Sequence, residues 1–472
     1  MRRPDLAPLA VAGAAAGCAA LGERIPEIDA WWQLAYGRYE LAHHALPPSD
    51  TWSWTAPGHP LVVTEWLFDA AMAAAARLGP WGAFGLLLAC LLALGAAAFA
   101  LYAALARSRP VGALLTIVLL ALLLPFLALL PQLPSFALFA AVFLVLEAAR
   151  LRGPSRLLFL PPLFALWANV HGTYPLGWMI VGLETLLAWA PALPGRLQAR
   201  HRRGTRRWLP VALLGCLLAP LANPYGWRLL PYELRLASSP FHLQNIAEFQ
   251  SPNFHNPYMA WFILPALLLG VGGAMLSRQR LPARDLLAAA GLLAGALVMV
   301  RLLPYALTAL GAVAAAVLRG RRVRPQPARW PLLVAAVAAV GLTLWRQAPE
   351  AWPPTAGEPV AAAAYVRAHL DGRGFNTYEW GSYLESVWNG RPAVYIDSRG
   401  DMYGDTTVLQ RYMAIMQLQV DPGPALTGQG VDWALLPASQ ALVLVLRAEG
   451  WGTVFAGGGA VVLLRPAPAG AA

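Results

Sequence analysis

The chain has 472 residues, of which 58% are hydrophobic and only 12% charged, with a mean hydropathy of +0.52. A soluble globular protein carries about 25% charged residues, so half of the usual surface charge is missing and a water-soluble enzyme of this length is a poor description. The formal charge of +11 comes from arginine alone, since there is no lysine; the placement of those arginines assigns the charge to membrane topology, not to a nucleic-acid footprint.

In chain order, Met1-Arg2-Arg3 before an Ala/Leu run has the outline of a signal peptide, and Ala15-Ala16-Gly17-Cys18 that of a lipoprotein cleavage site. The leucine usual three residues before such a cysteine is missing and many apolar runs follow, so the segment reads as an uncleaved first helix. Eleven segments are long and apolar enough to span a bilayer: about 6–22, 81–106, 110–130, 134–150, 157–170, 174–191, 208–222, 258–277, 285–300, 302–318 and 329–346. With the N-terminus inside, the cytoplasmic ends hold Arg2, Arg3; Arg107, Arg109; Arg150, Arg152, Arg156; Arg196, Arg200, Arg202, Arg203, Arg206, Arg207; Arg278, Arg280, Arg284; and Arg319, Arg321, Arg322, Arg324, Arg329, which is 21 of the 35 arginines. The opposite loops have six, namely Arg24, Arg38, Arg77, Arg228, Arg235 and Arg301. This is the positive-inside pattern carried along the whole membrane part. Cys18, Cys90 and Cys216 all lie in apolar segments, with no spacing for a metal or a disulfide framework.

An odd number of spans puts 347–472 outside, and there the composition turns to mixed charge and short apolar runs. The periodicity predicts helices at 359–370, 381–388, 406–418 and 439–449, strands at 375–378, 393–396 and 431–436, and a hairpin at 451–464 around Gly457-Gly458-Gly459. Alternating strands and helices imply a small α/β domain. The expected organisation is a membrane domain over 1–346, with a first outer loop at 23–80, and an extracytoplasmic domain over 347–472. There is no P-loop or dinucleotide fingerprint; the late glycines fall in a hairpin, so no phosphate cradle is expected there.

With this topology the unusual polar residues gather in the outer loops. The first carries Glu27-Ile28-Asp29-Ala30-Trp31-Trp32-Gln33-Leu34-Ala35-Tyr36 and, later, Glu65-Trp66. The second is Asn169-Val170-His171-Gly172-Thr173-Tyr174, and the third holds Asn223-Pro224-Tyr225-Gly226-Trp227-Arg228, Glu233, His242, Asn245 and Glu248. Tryptophan and tyrosine suit a membrane–water boundary, and carboxylates at that level are costly unless used. Each residue also has a plain reading. Glu27 and Asp29 would cap the helix predicted at 31–43, Glu65 the one at 66–78, and His171 would be a satisfied turn histidine. Arg301, set between two apolar segments, costs roughly 2.5–3.5 kcal/mol on insertion scales and calls for a counter-charge, either Asp29 or Glu65 or the phosphate of a lipid. Asp397-Ser398-Arg399-Gly400-Asp401 reads as an internal ion pair shaping the tail, with a ligand-facing turn as the other reading.

These residues resemble a known group. Ile28-Asp29-Ala30-Trp31-Trp32-Gln33-Leu34 with Thr51–Thr55 and Glu65-Trp66-Leu67 is similar to the first outer loop of bacterial GT-C superfamily membrane proteins. Trp167–His171, Asn223-Pro224-Tyr225-Gly226, Asn376-Thr377-Tyr378-Glu379-Trp380-Gly381-Ser382-Tyr383 and Ile396-Asp397-Ser398-Arg399-Gly400-Asp401-Met402-Tyr403-Gly404 extend the resemblance over most of the chain. It implies an α-helical polytopic fold of about eleven spans and a glycosyltransferase of the inner membrane. Such an enzyme takes its sugar from a polyprenyl-phosphate carrier on the outer face and gives it to a glycan, lipid or protein. Carried over, Asp29 is the base or acceptor-orienting group and Glu65 the second candidate. Glu27-x-Asp29 departs from the Asp-x-Asp pair of the superfamily, which leaves a divalent metal optional, with those two as ligands if one binds; no other cofactor is implied.

The chemistry agrees. A base gains typically 10²–10⁴-fold, and a leaving phosphate needs positive charge where its own charge grows, which points to Arg301, Arg228 and His171. Trp31, Trp32, Tyr36 and Trp66 are candidates to stack on sugar or lipid, and Glu27, Asn169, Tyr174, Asn223, Tyr225 and Glu248 to bind substrate. The rival classes are a lipid-sugar transporter, which needs polar groups at the bilayer midplane where Glu184 is the main one, and a non-catalytic assembly or glycan-binding protein.

Overall fold

The structure, a computed structural model, describes residues 6–22, 27–189, 204–321, 355–403 and 407–466. The chain separates into two compact units. One comprises Met1–Ile25, Ala75–Ala237 and Leu243–Glu350; the other Pro26–Ala74, Ser238–His242 and Ala351–Ala472.

The first unit is helical. Ten of the eleven expected spans fall on its helices among the described residues, and the eleventh, 329–346, lies outside them. Five helical stretches are each long and apolar enough to cross a membrane: Trp81–Ala106, Arg109–Phe126, Gln132–Arg152, Met259–Leu276 and Val300–Val317. The chain is thus a multi-pass membrane protein. Its lipid-compatible surface is visible in side chains such as Leu268, Leu269, Met275 and Leu276, which face outward. Thr205–Ala222 and Gly226–Ala237 would also pass together, but they bend by 103° at the Asn223-Pro224 break. Proline cannot continue the hydrogen-bond ladder, and Asn223 is extended there (φ −72°, ψ 147°).

Inside this unit a buried ion cluster ties three helices together. Arg284 reaches Asp285 at 2.6 Å, Glu184 at 3.8 Å and Glu147 at 4.0 Å, while Arg150 holds Glu147 at 2.6 Å. Glu184, the acid that a transporter reading leans on, is therefore engaged in a structural ion cluster.

The second unit is built on a four-stranded sheet. β1 (Arg373–Asn376) pairs parallel with β2 (Val431–Pro437), which pairs antiparallel with β4 (Ala460–Leu464); β3 (Gly452–Gly457) flanks β4, giving the order β1-β2-β4-β3. A parallel pair needs a long crossover, and residues 377–430 supply it with helices Tyr378–Trp388, Thr407–Met416 and Pro422–Thr427. Gly458 and Gly459, both at positive φ (58° and 79°), make the tight turn between β3 and β4. The expected strand at 393–396 is not one: Val394 makes only an isolated bridge to Ser53. Asn376 takes over the task of fixing that segment, donating to the Ile396 carbonyl and accepting from the Tyr395 N–H at 2.7 Å each.

Side chains alternate across the sheet, so each face has its own core. Val431, Ala434, Leu436, Val461 and Leu463 pack on one side with Tyr36, Trp52, Leu61 and Val63 from the first loop. Trp433, Leu435 and Val462 pack on the other with Trp31, Val366, Tyr383 and Trp388. The first outer loop is thereby part of this unit, on helices Asp29–His43 and Trp66–Ala76. That joining is not written in either segment alone.

Candidate functional site

The sequence-expected residues form two constellations, one in each unit. In the membrane unit, helix Leu160–Val170 ends at His171, whose backbone is extended, and helix Tyr174–Trp189 starts three residues later. Arg301 comes from a short 3-10 turn, Val300–Leu302, ahead of helix Leu303–Val317, whose second residue is Pro304. The Arg301 guanidinium donates to His171 Nε2 at 3.2 Å. Arginine is only ever a donor, so the ring accepts at Nε2 and carries its proton on Nδ1. That proton goes to Thr173 Oγ1 at 2.8 Å, and Trp167 Nε1 donates to the same oxygen at 3.3 Å. Thr173 therefore gives its own hydrogen to the Tyr305 hydroxyl, 2.8 Å away. Burial, and then the Arg301 charge, push His171 well below the usual histidine range, so it is neutral here.

Arg301 also lies 3.7 Å from Glu248 and 5.1 Å above the Phe249 ring. With His171, Glu248 and Tyr305 it lines a cavity of about 50 Å³ whose other walls include Phe126, Phe136 and Pro304. Gly172, next to His171, lies against Glu233, whose carboxylate a Cβ there would displace. Glu233 stands among the third-loop acids of the sequence, but nothing in the spacing links it to this turn.

The other expected residues of this unit have more local tasks in the described contacts. Asn169 donates to the Ala165 carbonyl at 2.8 Å; Asn223 donates to Ala168 O at 2.9 Å and accepts from the Tyr225 N–H at 2.9 Å. Tyr174 is buried, and Arg228 sits over the Trp227 ring at 5.7 Å, outside the cavity lining.

In the second unit, Asp29 is the first residue of its helix. The N-cap is Ile28, which makes no side-chain cap, and Asp29 is the acidic residue of the first turn, at the positive end of the helix. Its half-buried carboxylate accepts from Trp32 Nε1 at 3.0 Å and from Ser398 Oγ at 2.6 Å, both on Oδ1. Glu65 precedes helix Trp66–Ala76 and accepts from Gln33 at 3.4 Å. Trp31 is buried, edge-on to Tyr383 at 5.0 Å, and donates to Glu358 at 3.1 Å. Burial raises the Glu358 carboxyl to about 7, against that hydrogen bond. Tyr36 is buried too, whereas Trp32 and Trp66 pack at the edge of a core.

Beneath Asp29 lies the tail's charged turn, and it is the internal ion pair expected of it. Arg399, buried, bonds Asp397 at 2.5 Å and Asp50 at 2.8 Å, approaches Glu385 at 3.5 Å, and donates to the Tyr36 hydroxyl at 3.1 Å. Burial, set against the pull of the Arg399 charge, raises the Glu385 carboxyl well above the ordinary carboxylate range. A second acidic group went unmarked in sequence reading. Glu40 and Asp69 are buried, and among the described residues none of their four oxygens has a hydrogen-bond partner. Burial raises Glu40 to about 8 and Asp69 in the same direction, with Glu65 and Glu40 adding to the latter. The helical periodicity that put Gln33 and Glu40 on one face was the available signal.

Among the described residues no three His, Cys, Asp or Glu are spaced to hold an ion, and Asp29 Oδ1 is already taken by two donors.

No protein-family model matches the chain, and no curated protein sequence does. Solved structures do. The archaeal oligosaccharyltransferase AglB of Archaeoglobus fulgidus, in complex with an inhibitory peptide and a dolichol-phosphate, aligns over 96% of this chain and 74% of its own, at 11% identity and a TM-score of 0.55. ArnT from Cupriavidus metallidurans, bound to undecaprenyl phosphate, aligns over 97% of both chains at 14% identity and a TM-score of 0.55. This is the GT-C fold. Identities this low speak for architecture alone, and the GT-C fold hosts its chemistry in particular side chains.

Proposed function

We propose that this GT-C protein is a membrane glycosyltransferase that moves a sugar from a polyprenyl-phosphate carrier to an acceptor. The observation that carries the reading is the pairing of Arg301 with a neutral His171 at a cavity that has Gln132, Glu248 and Tyr305 beside an apolar wall of Phe126, Phe136, Val300 and Pro304. A cation fork and an imidazole on an apolar wall suit a phosphate head joined to an isoprenoid chain. Both solved relatives were captured with such lipids. The arginine bias puts the N-terminus inside and the working loops outside, where sugars come attached to lipid because nucleotide sugars are absent.

In the reaction an acceptor nucleophile attacks the anomeric carbon, the bond from that carbon to the phosphate oxygen breaks, and the phosphate leaves with the electron pair. Arg301 and His171 offset that growing negative charge. Asp29, in the other unit, is carried over as the base that the resemblance implies, with Trp32 and Ser398 donating to its Oδ1. Glu65 orients the acceptor. The reading needs no step through a metal.

The test is turnover. Purified protein in lipid nanodiscs, given a panel of radiolabelled polyprenyl-phosphate sugars together with glycan, lipid and peptide acceptors, is expected to transfer the sugar and release free polyprenyl phosphate from at least one donor, with transfer abolished in Asp29→Asn. No release from any donor, with or without divalent metal, would refute the assignment.

A further inference from the structure

Resting on the reading of Asp29 as the base, we infer that Ser398, backed by Ser382, is the positioning residue that sets this carboxylate, so that the C-terminal domain is a working part of the catalytic apparatus. Hydrogen counting fixes the direction of the chain. Ser398 Oγ lies 2.6 Å from Asp29 Oδ1, and a carboxylate only accepts, so the Ser398 hydrogen goes to Asp29. Ser382 Oγ lies 2.7 Å from Ser398 Oγ, whose hydrogen is spent, so Ser382 donates to Ser398. Ser382 in turn accepts from the backbone N–H of Ser398 at 3.1 Å. Both serines are buried, and the relay runs in one sense, toward Asp29.

The relay is held rigidly from behind. Helix Tyr378–Trp388, which carries Ser382, presses on the 396–397 backbone at Gly381, where any side chain would collide with the Ile396 carbonyl. Tyr378 donates from its hydroxyl to the Ser398 carbonyl at 3.0 Å. The next residue, Arg399, is anchored by Asp397 and Asp50. Ser398 thus cannot drift from its acceptor, and Asp29 cannot rotate without giving up a charge-assisted hydrogen bond, the strong kind.

The experiment compares wild type, Asp29→Asn, Ser398→Ala and Ser398→Thr in the donor-turnover assay, each with a melting curve and a binding curve for polyprenyl phosphate. Ser398→Ala is expected to lower kcat about ten- to a hundredfold, the worth of one hydrogen bond to a charged group. KM and lipid-phosphate binding should stay near wild type, and the acidic limb of the kcat profile should move to higher pH, since a carboxylate that has lost one of its donors holds its proton more tightly. Ser398→Thr, which keeps the hydroxyl, should restore most of the rate. The inference is overturned if Ser398→Ala retains kcat within twofold and the same pH profile while Asp29→Asn is dead, or if Ser398→Thr is as slow as Ser398→Ala at an unchanged melting temperature. A fully active Asp29→Asn also overturns it, by removing the base it serves. Absence of turnover in wild type would instead condemn the glycosyltransferase reading itself.

Discussion

Arg301 concentrates the argument at the scale of single residues. Its guanidinium engages His171 and Glu248 from one planar fork and lies over Phe249, a geometry that lysine cannot reproduce. Arg301→Ala is expected to weaken polyprenyl-phosphate binding roughly ten- to a hundredfold, and Arg301→Lys to recover only part of it, by titration with the lipid in nanodiscs. Glu40 gives a prediction of a different kind. Its carboxyl, raised by burial to about 8 from the ordinary 4.5, stays protonated in the folded protein at pH values where the unfolded chain has lost the proton. Its contribution to stability is complete below the unfolded value and lost as pH rises through the folded one; Asp69 beside it acts in the same direction. The melting temperature should therefore fall between about pH 4.5 and about pH 8, and Glu40→Gln should flatten that fall. An equal slope in the variant would remove Glu40 from the account.

Among elements, the tail's charged turn is the one on which most depends. Arg399 faces Asp50 and Asp397 in a space closed to water. Removing one partner of a buried ion pair costs about 3–5 kcal/mol because the other charges are left bare. Arg399→Met is expected to lower the melting temperature severely and to sharpen protease sensitivity within 27–74 and 355–466, whereas substituting the surface residue Arg367 should do neither. This turn also marks where sequence reading stops. Helices and strands are written locally, in apolar spacing, and the helices at 29–43, 66–76, 360–369 and 407–416, with strands β1, β2 and the glycine hairpin, were all legible within a few residues. The extended run at 393–396 misled because β-branched and aromatic residues fit a strand and a bridged loop equally well. Asp50 meets Arg399 across 349 positions and Asp29 meets Ser398 across 369. Nothing in either partner's neighbourhood encodes the other, so Asp29 was legible as a candidate while the serines that hold it were not. His171 and Arg301 stood out for the opposite reason: a charge and an imidazole among apolar runs are conspicuous wherever they pair.

For the molecule as a whole, the division into units decides what can be removed. Trp31, Tyr36 and Trp52 have their cores completed only by residues beyond 355. A chain ending near residue 350 is expected to keep its membrane helices yet leave the 27–74 segment open to proteolysis and inactive. Limited digestion of the truncated and full-length proteins, side by side, checks this; a protected 27–74 segment in the truncated form would contradict it. The grouping also carries a schedule. Ribosomes add about 5–20 residues per second, and the two halves of the sheet's cores are separated by roughly 280 positions, so the early half waits roughly 15–60 s for the late one. Throughout that interval Trp31 lacks its Tyr383 partner, and an interrupted translation product never acquires the Ser398 contact to Asp29. The serine relay therefore assembles only after Ser398 has been made, 369 positions behind Asp29.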